Sequence, residues 1–248
     1  MSAHRTFASS AADEGRALSL RARVTDTDAN TVVRTARQAD EIGSRRRTGS
    51  YTVQMIPGGG ARPASYWKDG EQWRIGTDAD IAWIKGATEP GLTITSAIPP
   101  VFAAYATMVV PDTDEGRSEQ LALVLRLLTE QSRDQAWWLG YLDTGADDLV
   151  FPDAPRVTLY AGWQYVLVQA GPAQAARWRH DPRSWRAPGP DLIFPADRSW
   201  LLSWLWDDDW RCLGGPAALV DRFVGQARSR ARKVDLGEDP TPPGYEAR

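Results

Sequence analysis

Six aspartates in two loops are the residues whose type and spacing could do chemistry. The clusters are Asp143, Asp147 and Asp148, and the run of Asp207, Asp208 and Asp209. If the fold brought the clusters together, their carboxylates could bind Mg²⁺ or Ca²⁺, or act as the acid and base of a glycosidase. Adjacent aspartates point in different directions, however, and aspartate is common in turns for backbone reasons alone. The clusters allow a carboxylate-dependent hydrolase without requiring one.

Other catalytic patterns are missing from the sequence. Cys212 is the single cysteine, and His180 is the one candidate for its base in the body of the chain. A thiol in an apolar stretch is typical of a core residue. No nucleophile-elbow serine, dinucleotide-binding glycine motif or HExxH zinc motif occurs, and no Lys-Ser/Thr follows the glycines at 58–60. We therefore expect no catalytic residue, no cofactor and no metal.

Tryptophan is the second unusual feature, with twelve residues in a chain of 248. An indole buries a large apolar area but also needs a partner for its N–H, so some indoles are expected at the edge of a pocket or interface. Tryptophan is also enriched in binding hot spots. We therefore add six tryptophans to the six aspartates as candidate binding residues: Trp137, Trp138, Trp200, Trp204, Trp206 and Trp210.

Four of these tryptophans lie between Pro195 and Pro216, in a stretch predicted to form a β-hairpin that leads into a helix. Side chains two residues apart share a face of a strand. Trp200, Leu202 and Trp204 should therefore share one face with Trp206, and the three aspartates should form the turn. This pattern favours a core or interface position for the tryptophans.

Local patterns elsewhere predict an α+β fold. Apolar residues recur at helical spacing from Leu121 to Leu128, which predicts an amphipathic helix. Strands are expected at 137–142 and at 157–169, the latter as a hairpin or as one bent strand with a glycine break. Asp69-Gly70 suits a tight hairpin turn. Thr77 and Asp80 resemble a capping box that begins a short helix. We predict a single domain at 51–236, with a mostly antiparallel sheet and helices packed on one face.

The two ends differ from this domain. Residues 1–50 contain nine arginines against six acidic residues and no tryptophan. We expect this basic segment to be disordered or weakly structured, unless translation truly begins near Met55 and the segment is a start-site artefact. Residues 237–248 are expected to be a flexible tail.

Charge and composition limit the partners and the location. The formal charge is −3 and the pI about 5.5, so nucleic acid is a poor default partner. The sequence has no apolar run of about 18 residues and no secretory signal pattern, so we expect no membrane partner. With one cysteine, the chain suits a reducing cytoplasm.

The C-terminal part resembles a group of uncharacterised proteins from high-GC actinobacteria. The matching features are the Asp-Arg-Ser-Trp strand at 197–200, the acidic turn at 207–209, the Gly-Gly step at 214–215 and the Leu-Val helix at 219–220. With WWLGYLDTGADDLVFPDAP and ITSAIPPVFAAYAT, the resemblance covers about residues 65–238. It implies a fold and no activity. The layout is also similar to that of bacterial toxin-immunity proteins of mixed α+β type.

These observations favour a non-enzymatic protein-binding module, of an immunity or regulatory kind. Its tryptophan-rich acidic surface would hold a basic protein partner. The alternatives are a carboxylate-dependent hydrolase acting on a glycan or similar substrate, and a purely structural or oligomeric component. The separation of the two acidic loops distinguishes the first two functions, because the carboxylates of a glycosidase pair must lie close together.

Overall fold

The computed structural model describes residues 65–132, 134–145, 149–179, 188–205 and 208–242. The basic segment predicted at 1–50 lies outside these residues. The strands are β1 (Ser65–Lys68), β2 (Glu71–Ile75), β3 (Ala104–Val109), β4 (Trp137–Leu142), β5 (Val157–Leu159), β6 (Trp163–Ala170), β7 (Leu192–Pro195), β8 (Leu201–Ser203), β9 (Trp210–Gly215) and β10 (Ala231–Lys233). The α-helices are α1 (Asp78–Lys85), α2 (Asp114–Ser132), α3 (Pro172–Arg177) and α4 (Ala217–Val224).

The ten described strands form one sheet in which all pairings are antiparallel. Their order is β1-β2-β6-β4-β7-β8-β9-β3-β10, and β5 pairs with the first residues of β6. The predicted hairpins occur at β1–β2, β5–β6 and β8–β9. The α+β prediction with a mostly antiparallel sheet is therefore confirmed.

Local turn and capping chemistry explains the first elements. Asp69 and Gly70 connect β1 and β2 with φ of 55° and 81°, as a type I′ turn requires. At the start of α1, the Asp80 carboxylate accepts the main-chain N–H of Thr77 at 2.8 Å. Both features are those that the residue types predict.

Helices cover both faces of the sheet. On one face, which we call the α2 face, α2, α3 and α4 pack on alternate strand residues such as Trp137, Leu139 and Tyr141. On the opposite face, the α1 face, Ile81 and Ile84 of α1 pack on the intervening strand residues. Three of the four helices thus share the predicted face, and the short α1 lies on the other.

The predicted Trp200 stretch contributes to the core of the α2 face. Trp200 and Leu202 are buried there, as the pleat pattern indicates. The Trp200 ring packs edge-on against Trp137, with centroids 5.2 Å apart. Its indole N–H donates to Ser132 Oγ at 2.6 Å, which joins the residue before β8 to the end of α2.

Gly214 of β9 gives a test of packing on the α1 face. A Cβ at this position would lie 2.5 Å from Ile98 Cγ2 and would overlap the Phe102 ring. We expect Gly214→Ala to lower the free energy of unfolding by about 1–3 kcal/mol, because the packed core must shift to accept the methyl group. Urea denaturation measures the change. The control is Gly237→Ala, where nothing lies within 4 Å of the added methyl; equal stability of the two variants would contradict this packing.

Candidate functional site

A cleft opens at one end of the sheet, on the α1 face. It lies where β5 and β8 end and where β6 and β9 begin, and its volume is about 420 Å³. The residues that give it chemical character are the aromatic Tyr160, Trp163 and Trp210 and the acidic Glu89, Asp208 and Asp239. The cleft therefore joins indole and carboxylate groups from segments far apart in the chain.

The turn between β5 and β6 forms the aromatic wall. Tyr160 has a φ of 52°, a left-handed conformation that is rare for an aromatic residue. Its hydroxyl donates to the main-chain oxygen of Ala97 at 3.0 Å and lies 2.7 Å from Ser203 Oγ. Burial raises the pKa of Tyr160, so the hydroxyl remains a hydrogen-bond donor. These two contacts hold the strained residue beside Trp163.

The C-terminal segment forms part of the acidic rim. Arg232 of β10 donates from Nη2 to the main-chain oxygens of Asp239, at 2.6 Å, and Thr241, at 2.9 Å. The Thr241 N–H donates to Asp239 Oδ1, and this bond lowers the pKa of Asp239. Asp239 and Thr241, which belong to the predicted tail, are thus hydrogen-bonded to the edge strand β10. Asp239 carries a negative charge at neutral pH.

The rim has an excess of negative charge. Among the described residues that line the cleft, Lys85 is the single cation against three carboxylates. The Lys85 ammonium is also 3.9 Å from Asp78 Oδ1, which reduces its effect in the cleft. Leu92, which also lines the cleft, is 85% exposed. The cleft therefore offers aromatic, apolar and anionic surface to a ligand.

The structure separates the predicted site residues into three groups. Asp208 and Trp210 line the cleft, and Trp204 lies behind its rim, because its indole N–H donates to the main-chain oxygen of Asp208 at 2.6 Å. Asp209 is an exposed residue next to them. Three candidates are core residues, and their burial gives no support to a binding role: Trp137, Trp138 and Trp200. The remaining candidates Asp147, Asp148, Trp206 and Asp207 lie outside the described residues.

Asp143 lies outside the lining of the cleft that Asp208 and Trp210 share. Asp143 follows β4, and Asp208 and Asp209 precede β9, at the same end of the sheet but with β7 and β8 between them. The Asp143 carboxylate is paired with Arg156 at 2.8 Å. Among the described residues, no group of three or more His, Cys, Asp or Glu side chains could hold a metal.

Buried polar residues on the α2 face form a second feature at this end of the sheet. The Arg179 guanidinium pairs with Asp191 at 2.7 Å, and both side chains are at most 1% exposed. Arg211 of β9 donates to Gln120 Oε1 at 2.7 Å, and its guanidinium lies 5.1 Å from the centroid of the Trp204 ring. We call the Arg179–Asp191 pair with the neighbouring Tyr141 the buried arginine site.

Sequence reasoning missed the buried arginine site, the buried Arg211 and most of the cleft. A signal for Arg211 existed, because an arginine between Trp210 and Cys212 interrupts an otherwise apolar strand pattern. Arg179, Tyr160 and Glu89 carried no such signal.

Comparisons with protein-family models, curated proteins and solved structures give no match. The resemblance to actinobacterial proteins therefore stays a prediction. In the part of the chain that the structure describes, no helix is long and apolar enough to cross a membrane.

The ion pair of Asp143 predicts a pH-dependent contribution to stability. Arg156 Nε donates to Asp143 Oδ2 at 2.8 Å, and the Gly145 N–H donates to Oδ1 at 3.0 Å. The bond from Arg156 is the main reason why the pKa of Asp143 lies below its ordinary value of 3.8. A carboxyl group whose pKa is lower in the folded state stabilises it above the ordinary value, and this contribution is lost as the pH falls through the lowered value.

We therefore expect Asp143→Asn to lower the free energy of unfolding by about 1 kcal/mol near neutral pH and to have a smaller effect near pH 3, below the ordinary pKa. Urea denaturation at both pH values measures this difference. Asp153→Asn, which changes an exposed aspartate between β4 and β5, is the control. A destabilisation by Asp143→Asn that stays constant with pH would contradict the assignment.

Proposed function

We propose that the protein is a non-enzymatic binding module of the cytoplasm, of an immunity or regulatory kind, that holds a basic segment of a protein partner in the cleft. The observation that carries this proposal is the joining of three aromatic side chains and three carboxylates in one cleft of about 420 Å³. Aromatic faces attract cations, and the surrounding carboxylates add charge complementarity.

Arginine is the side chain that suits this cleft best. Its planar guanidinium stacks on an indole or phenol ring and donates to carboxylates at the same time, whereas the lysine ammonium is more strongly hydrated. Trp163 and Tyr160 supply ring surface, and Glu89 and Asp239 supply acceptors at the rim. Leu92 adds exposed apolar surface for the aliphatic part of a neighbouring side chain.

Hydrogen bonds fix the aromatic wall and the acidic rim of the cleft. A site that is fixed before binding supports the proposal, because it lowers the entropy cost of association. Tyr160 is constrained by two hydrogen bonds, and Arg232 ties the segment of Asp239 and Thr241 to β10. The site is therefore largely formed before a partner arrives.

The hydrolase alternative has less support. It would need Asp143 to act with Asp208 or Asp209, but Asp143 lies outside the cleft lining that includes Asp208 and is already paired with Arg156. No described feature favours it over binding.

A labelled hexa-arginine peptide tests the proposal. We expect the full-length protein to bind it more tightly than hexa-lysine and to leave hexa-glutamate unbound. In the double variant Glu89→Gln/Asp239→Asn, Kd for hexa-arginine should rise by about five- to tenfold at low salt, because two rim charges are lost. Fluorescence anisotropy at about 50 and 300 mM salt measures the affinity and its screening.

The matched control is Glu71→Gln/Asp153→Asn, which removes the same number of charges from exposed positions outside the cleft. Its Kd should remain within about twofold of the original value. If Kd rises equally in both double variants, the peptide responds to the net charge of the protein and does not bind specifically in the cleft. No preference for hexa-arginine over hexa-glutamate would reject a basic partner.

A further inference from the structure

The buried arginine site contains hydrogen-bond donors without acceptors. Arg179 Nη1 donates to Asp191 Oδ2, but Arg179 Nε and Nη2 have no hydrogen-bond partner among the residues that the structure describes. Within the same residues, the Tyr141 hydroxyl on β4 also has none. Leaving such groups unpaired away from water is unfavourable, and most so for charged groups. A ligand that accepts these hydrogen bonds would therefore bind with a favourable contribution from each donor.

The two free nitrogens of Arg179 are adjacent. In a guanidinium, Nε–H and one N–H of Nη2 point in the same direction and form a planar fork that matches two oxygens of a carboxylate or phosphate group. The contact with Asp191 uses Nη1, on the other side of the group, and leaves this fork intact. The free fork has the geometry of bidentate anion recognition.

Tyr141 adds a third donor. The Arg179 guanidinium carbon lies 5.4 Å from the centroid of the Tyr141 ring. Burial raises the pKa of Tyr141, against a smaller lowering by the charge of Arg179, so the hydroxyl keeps its proton. The Tyr141 hydroxyl is thus a third buried donor, on a ring that lies next to the guanidinium.

From these contacts we infer that Arg179 and Tyr141 form a binding site for a small oxyanion, a carboxylate or a phosphate group. All three unpartnered groups can donate, and an oxyanion offers acceptors alone. The donor set therefore suits an anionic ligand.

The backbone conformation of Arg179 also indicates that the position of its side chain is constrained. Arg179 has a φ of 52°, in the left-handed region, and its main-chain oxygen accepts the Gly189 N–H at 3.1 Å. This conformation is strained for a non-glycine residue, and such residues cluster at ligand sites. Because the Arg179 side chain is only 1% exposed, the anion must enter by local opening and exchange slowly.

Thermal unfolding of the full-length protein tests the inference. After long dialysis into Tris chloride, the protein is equilibrated overnight with sodium phosphate, sodium formate or sodium chloride at equal ionic strength. An anion that binds only the folded state raises Tm in proportion to ln(1 + [L]/Kd). We expect a rise with formate or phosphate that chloride does not give, and the better of the two probes identifies a planar carboxylate or a tetrahedral phosphate ligand.

Two variants assign the effect to the site. Arg179→Lys removes the planar fork and should abolish the Tm response. Tyr141→Phe removes an unpartnered hydroxyl, so it should fold with at least the original stability in Tris chloride and should bind the preferred anion about five- to tenfold more weakly. If Arg179→Lys fails to fold, Tyr141→Phe alone decides the result.

Arg156→Lys is the control, since it changes an arginine that binds a carboxylate elsewhere on the protein. It should keep the response to the preferred anion. The inference is overturned if neither oxyanion raises Tm beyond chloride, or if Tyr141→Phe responds as the original protein does.

Discussion

The burial of the central strands on both faces is the constraint on which the rest of the structure depends. All six residues of β4 are buried, and β7, β8 and most of β9 are buried as well. An antiparallel sheet commonly leaves one face to solvent. With both faces covered, polar groups are costly in the middle of these strands and are favoured at their ends. The cleft and the buried arginine site both lie at one such end, where β4 and β8 finish and β9 starts.

The parts of the fold that depend on neighbouring residues could be predicted from the sequence. Asp69 and Gly70 supply the turn that their φ values require, and Asp80 caps α1 through Thr77. The pleat pattern placed Trp200 and Leu202 on one face. The choice of sheet face for α1 could not be predicted in this way, since an amphipathic helix fits against either face of a sheet that is apolar on both.

The sites depend on contacts between distant parts of the chain, and for this reason most of their residues could not be found from the sequence. Asp208 and Trp210 were candidates because their own neighbourhood is unusual. Glu89, Tyr160 and Asp239 become site residues only when α1, the β5–β6 turn and the C-terminal segment meet. Composition also could not distinguish a core indole from a binding indole, because burial depends on the completed sheet.

Trp204 shows why the two features occur at the same end of the sheet although they lie on opposite faces. Its main-chain N–H donates to the Asp191 oxygen at 2.7 Å, beside the buried ion pair with Arg179. Its indole N–H donates to the Asp208 oxygen at 2.6 Å, at the rim of the cleft. Trp204, which directly follows β8, is therefore bonded on one side to the main chain of Asp191 and on the other to that of Asp208. Because the bond to Asp208 comes from the indole N–H, the Trp204 side chain helps to fix the backbone at the rim of the cleft, and the first role of this tryptophan is structural.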